Sequence, residues 1–163
     1  MTTNIMIVGV GGQGTLLASR ILGNTVINEG FDVKVSEVHG MSQRGGSVVT
    51  YVKYGEEVFS PVIDKGQADI ILAFEKLEAY RAMPYLKKGG KMIVNVQEID
   101  PMPVITGAAK YPENIIEKLK ETALDINEKQ KLVENTFVPS ETYDQTVQNA
   151  KHNVKWSTKF FKF

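Results

Sequence analysis

Gly9-Val10-Gly11-Gly12-Gln13-Gly14 sets glycines in a GxGxxG pattern directly after an apolar run and at the start of a helical one. That context suits phosphate chemistry. The first glycine permits a tight turn, the second lets a pyrophosphate approach the backbone, and the third lets helix and strand pack closely. Free amides at the helix N-terminus then face an anion. Glu37, at the end of the following strand, stands near the place of a ribose-binding acid. The same glycines equally suit a tight crossover that binds no nucleotide. Gly12 is an extra glycine and Gln13 would present an amide at the mouth of the loop, and a dinucleotide demands neither.

A second loop, Gly40 to Gly46 (GMSQRGG), follows His39. Ser42, Gln43 and Arg44 gather a hydroxyl, an amide and a guanidinium, with Gly45 and Gly46 behind them. Arg44 can hold a phosphate or carboxylate through two parallel hydrogen bonds. A lone histidine is usually structural, so His39 carries little weight. Ser42-Gln43-Arg44 reads as a binding or interface loop, because loops on rigid scaffolds carry function. Glu75 and Asn95 end the apolar runs ADIILAF and KMIV. Each suits a ligand site at the sheet's carboxyl edge and equally suits a helix cap or turn. No residue is singled out as a catalytic acid, base or nucleophile, and none as a metal ligand.

These groups need elements to position them. Asn4 to Val10 is nearly continuous apolar sequence, the pattern of a strand covered on both faces. Leu17, Ile21, Leu22 and Val26 recur at helical spacing, Gly30 is placed as a stop, and Phe31 to Val38 alternates as a strand. Strand, glycine turn, helix, strand is a βαβ unit with parallel strands. Ser47 to Lys53 is expected to pair with Glu57 to Ile63, where Pro61 argues for an edge or an early end. Ala68 to Phe74 is a buried-type strand, and the helix KLEAYRAMPYL is kinked or divided at Pro84. Lys87 to Gly90 closes that helix, Lys91 to Val96 is another strand, and Pro112 to Leu124 is a helix with Ile116, Leu119 and Ala123 on one face. The expectation is one α/β, Rossmann-like domain over residues 1–163. Its sheet would be mostly parallel, with an antiparallel hairpin insertion and helices on both faces.

Composition removes several functions. The 19 basic and 19 acidic side chains cancel, giving no electrostatic reason to bind nucleic acid or an anionic membrane. No apolar run approaches the roughly 20 residues that span a bilayer. The N-terminus lacks a basic leader, so the cytoplasm is the expected compartment. With no cysteine there is no disulfide, no thiol nucleophile and no cysteine-held iron–sulfur cluster on this chain. Electrons would have to travel through a partner.

The motifs GVGGQG and EVHGMSQRGGSV are followed in order by SPVI, ADIILAFEKLEA and YLKKGGKMIVN. Together they resemble the gamma subunit or domain of the pyruvate/2-oxoacid:ferredoxin oxidoreductases, and within that family the beta subunit of indolepyruvate ferredoxin oxidoreductase. The resemblance implies oxidative decarboxylation of a 2-oxoacid, here an arylpyruvate, to an acyl-CoA with ferredoxin as electron acceptor. It implies a hetero-oligomer whose large subunit carries thiamine diphosphate and [4Fe–4S] clusters. This chain would be a non-redox subunit with no tightly bound cofactor, inactive alone. By motif, Gly11, Gly12, Gln13 and Gly14 form a first interface or ligand loop, and Ser42, Gln43, Arg44, Gly45 and Gly46 a second. Arg44 and the helix N-terminus after Gly14 are the groups offered to coenzyme A phosphates. The alternative is a free-standing Rossmann dinucleotide-binding oxidoreductase.

From about Pro101 the chain departs from the family, lacking its small-residue apolar helical segment. Trp156, Phe160 and Phe163 share one helical face beside Lys155, Lys159 and Lys162. A tail folded back over the chain's own sheet is the preferred reading.

Overall fold

The computed structural model describes residues 1–40 and 45–127; Ser42, Gln43, Arg44 and the aromatic tail lie outside them. The described chain runs β1 (Thr3–Val10), α1 (Thr15–Asn28), β2 (Asp32–His39), β3 (Ser47–Gly55), β4 (Ala68–Ala73), α2 (Lys76–Ala82), β5 (Leu86–Val94), α3 (Met102–Ile105) and α4 (Ile115–Asn127). The strands form one five-stranded sheet in the order β2-β3-β1-β4-β5. β1 pairs in parallel with β4, and β4 with β5. β3 is antiparallel to both β1 and β2, so four strands point one way and β3 opposes them. The α/β class with helices on both faces is therefore present, in a mixed sheet with two parallel and two antiparallel pairings.

Three details differ from expectation. β1 and β2 do point the same way, but β3 lies between them. Its antiparallel partner within a hairpin is β2, across the second loop, and Glu57 to Ile63 forms no strand. The reason lies in its contacts: Val58 and Ile63 are buried anchors, Phe59 between them is 85% exposed, and the Val58 amide is taken by Asp32 Oδ2 at 2.8 Å. Pro61 has no amide to add to a ladder. Lysine 34 and that amide hold the Asp32 carboxyl below its ordinary pKa. β5 also begins earlier, at Leu86, with an irregularity that absorbs the Lys87 to Gly90 stretch between the Ala68 and Ile70 pairings. At Pro84 the helix divides as expected: α2 stops at Ala82 and a 3-10 turn covers Met83–Tyr85.

The third difference is which stripe of α1 faces the sheet. Thr15, Ser19, Gly23 and Val26 are buried, whereas Leu17 and Ile21 are 63% and 60% exposed. Small side chains let the helix lie close, and a Cβ on Gly23 would already touch Val35 at 3.5 Å. α1 ends as Gly30 predicts: with φ 89° it lets the Phe31 and Gly30 amides reach back to the Val26 and Ile27 carbonyls.

The sheet has a core on each face. Ile5, Ile7, Val52 and Tyr54 meet Val26, Ala18 and Leu22 of α1 on one side. Met6, Val8, Ile71, Met92 and Val94 meet Leu77 and Ala79 of α2 and Ile115 and Leu119 of α4 on the other. Adjacent residues of β1 thus feed opposite cores, which is why its sequence is apolar throughout.

Candidate functional site

The carboxyl end of β1 and the amino end of β3 meet because Val10 is paired with Ser47. This register puts the two glycine loops side by side and joins them through their backbones. The Gly11 amide donates to the Gly46 carbonyl at 2.8 Å, and the Gly45 amide donates to the Gly11 carbonyl at 3.3 Å. The described C-terminal end of the second loop is thus bonded to the first.

Within the first loop each motif residue has a distinct task. A Cβ on Gly9 would stand 2.9 Å from Gln13 Oε1 and 3.1 Å from Phe74 Cβ, so only glycine fits there without displacement. Gly14 caps α1 with φ 88°, a left-handed conformation, and offers no side chain to the helix's first amides. Gln13 does not present its amide to solvent as a free group. Its Oε1 accepts the Val10 amide at 2.7 Å, and its Nε2 donates to the Phe74 carbonyl at 2.9 Å and to Gln97 Oε1 at 3.0 Å. It fastens the turn to the ends of the neighbouring strands.

A cleft of about 490 Å³ opens beside the loops, lined by Gly11, Gly12, Gly14 and the start of α1, by Arg20, and by Glu37 and His39 at the end of β2. His39 Nδ1 lies 2.9 Å from the Gly40 carbonyl. Glu37 Oε2 is buried and has no hydrogen-bond partner among the described residues. The α1 N-terminus and the Arg20 guanidinium bring positive character to the cleft, and the Glu37 carboxylate opposes it.

Glu75 and Asn95 are both at the same sheet edge, as the strand ends require, but each is engaged within the chain. Glu75 is 1% exposed and caps α2, accepting the Glu78 amide at 2.9 Å. It also accepts the Tyr111 hydroxyl and, at 3.4 Å, the Ile99 amide. Burial first, and then the Glu75 hydrogen bond, push the Tyr111 phenol above its ordinary pKa. Lys76 lies over the Tyr111 ring, 5.3 Å from its centroid, and pairs with Glu98. Asn95 Oδ1 accepts the Gln97 amide at 3.2 Å, and so connects β5 to Gln13 through Gln97.

Glu78, Tyr111, Gln97 and Arg20 do not stand out by sequence motif. Only Glu78 left a signal, the Glu75-x-x-Glu78 spacing of a capping box.

Residues 4–142 match the pyruvate ferredoxin/flavodoxin oxidoreductase family. The indolepyruvate oxidoreductase subunit IorB of Thermococcus kodakarensis is 46% identical over 134 residues, covering 82% of this chain and 60% of that protein. The IorB subunit of Pyrococcus horikoshii is 49% identical over 117 residues, covering 72% of this chain and 57% of that one. The chain therefore spans about three fifths of the length of these relatives. A 2-oxoglutarate:ferredoxin oxidoreductase structure from Magnetococcus marinus shares the fold at a TM-score of 0.50 and 15% identity, over 94% of this chain and 32% of that one. With the two glycine motifs joined at one sheet edge and the match running from the first strand past the last described helix, the chain belongs to the pyruvate ferredoxin/flavodoxin oxidoreductase family.

Proposed function

We propose that this chain is the non-redox subunit of an indolepyruvate-type 2-oxoacid:ferredoxin oxidoreductase, and that the paired glycine loops form the surface it offers to the active assembly. The observation carrying this reading is the backbone joint between the loops, Gly11 to Gly46 and Gly45 to Gly11. It holds the described end of the second motif, Gly45 and Gly46, against the first. Iron–sulfur clusters are held by cysteine thiolates, and this chain has none to offer. By the family resemblance, the clusters and thiamine diphosphate belong to the large partner, which would pass electrons to ferredoxin. The reaction is the oxidative decarboxylation of an arylpyruvate to its acyl-CoA.

On this chain's side, Gly9, Gly12 and Gly14 shape the turn, Gln13 holds it to β4, and Gly45 and Gly46 continue the surface. The α1 amides suit a phosphate of coenzyme A, with Arg44 as a second anchor. Thiamine diphosphate, when bound on the partner, supplies the carbanion chemistry. Here the residues bind, orient and exclude water. The assembly would be a cytoplasmic hetero-oligomer.

The test is reconstitution. Mixed with its large partner, the chain should restore indolepyruvate-dependent, coenzyme A-dependent ferredoxin reduction that neither part shows alone. Arg44→Ala should raise the coenzyme A requirement and leave the thiamine diphosphate content unchanged. Failure of the wild-type chain to restore activity would sink the reading.

One observation favours a second reading. The Glu37 oxygen, without a hydrogen-bond partner among the described residues, lies in a cleft beside GxGxxG and resembles a ribose-binding acid. Against it, β3 intervenes between β1 and β2, which moves Glu37 outward by about one strand spacing, roughly 4.8 Å. Stoichiometric NAD binding to the isolated chain, measured by calorimetry, would favour that reading instead.

A further inference from the structure

Two carboxylates open α2, and they do different work. Glu75 caps the helix through the Glu78 amide. In a capping box the second acid reaches back to the cap residue's own amide. Glu78 turns elsewhere. Its Oε2 accepts the Ser47 hydroxyl at 2.6 Å, and its Oε1 takes the Arg81 guanidinium. The Glu78 side chain is 5% exposed and that of Arg81 is 50% exposed. Withdrawing a carboxylate from water is costly unless hydrogen bonds meet its lone pairs. Ser47 supplies that bond, and Ser47 is the residue at which the second loop becomes β3. Its neighbours Gly45 and Gly46 make both bonds to Gly11. Arg81, Glu78, Ser47 and the glycine joint therefore form one connected string from α2 to both loops.

We infer that Glu78 is a positioning residue, which through Ser47 fixes Gly45 and Gly46 against Gly11 and thereby sets how tightly this joint engages the large partner. The functional half of this inference rests on the subunit role proposed above, whereas the positioning half can be read on the chain itself. Loss of a hydrogen bond to a charged group is worth a fold-change that amide exchange resolves.

The experiment measures amide hydrogen exchange by NMR on the full chain, with Gly11 and Gly45 as reporters and Ile71 as a core control. Ser47→Ala and Glu78→Ala should each speed exchange at Gly11 and Gly45 about tenfold and leave Ile71 protected. Glu78→Gln keeps an oxygen for the Ser47 hydroxyl and should recover most of the protection. Should Glu78→Ala fail to fold, Ser47→Ala at the exposed loop end decides alone. Unchanged Gly11 and Gly45 exchange in Ser47→Ala overturns the inference. In reconstitution, Ser47→Ala should raise the concentration needed for half-maximal activity about tenfold, with Glu78→Gln near wild type. Faster exchange with an unchanged reconstitution curve overturns the functional half. A wild-type chain that never reconstitutes refutes the subunit role, and the exchange data then still decide the positioning.

Discussion

The two faces of the sheet are built on different principles. Beneath α2 and α4, large aliphatic side chains interlock: Ile71, Met92, Val94, Ile115 and Leu119 are all buried together. Beneath α1, the buried helix residues are Thr15, Ser19, Gly23 and Val26, with Ala18 and Leu22 packed beside them, while Leu17 and Ile21 point to the exterior. Burial of apolar area scales with side-chain size, so the α2 and α4 face carries most of the hydrophobic stabilisation. The α1 face relies on close approach. That closeness delivers the α1 N-terminus to the cleft at a defined height, beside the loops joined by Gly11, Gly45 and Gly46.

The contrast is open to direct attack. Ile71→Ala, at a fully buried position of the aliphatic face, should lower the unfolding free energy by about 3 kcal/mol in urea denaturation. Ser19→Leu, the opposite change on the close-packed face, should cost about 2 kcal/mol because the helix must lift. A tolerated leucine at position 19 would show that α1 is not held close. Tyr111→Phe leaves the buried Glu75 oxygen without its hydroxyl donor and should cost about 1.5 kcal/mol near neutral pH. Because the folded-state pKa of Tyr111 is raised, the native chain holds that proton more tightly than the unfolded one. Its contribution is full below the unfolded value of about 10 and is lost as the pH rises beyond it. The stability gap between wild type and Tyr111→Phe should therefore narrow in strongly alkaline denaturation curves. Leu17→Ser should change stability by less than about 0.5 kcal/mol, since that side chain is already outside.

The sequence disclosed much of the plan but misjudged some of its pairings. The glycine turn, the stop at Gly30 and the division at Pro84 were legible because each depends on a backbone requirement confined to a few residues. The β3 hairpin was assigned to the wrong neighbour because Glu57 to Ile63 has strand-like composition, and composition does not reveal that Asp32 will take the Val58 amide. On α1, hydrophobicity selected Leu17 and Ile21, although the small residues share the same period. The candidate site was half legible. Both glycine loops were identified, yet their joint needs the Val10 to Ser47 register, which no local pattern encodes. Gln13 was expected at the loop mouth and is instead occupied in holding the turn.

By itself the sequence determined the family, the order of most elements and the conformations that only glycine or proline permits, since these follow from motif spacing and local dihedral freedom. The tertiary structure alone decided the placement of β3 between β1 and β2, the stripe of α1 that is buried, and the partners of Glu75 and Glu78. Those outcomes depend on hydrogen bonds and burial between segments far apart in the chain. Their free energy exists only once the segments have met.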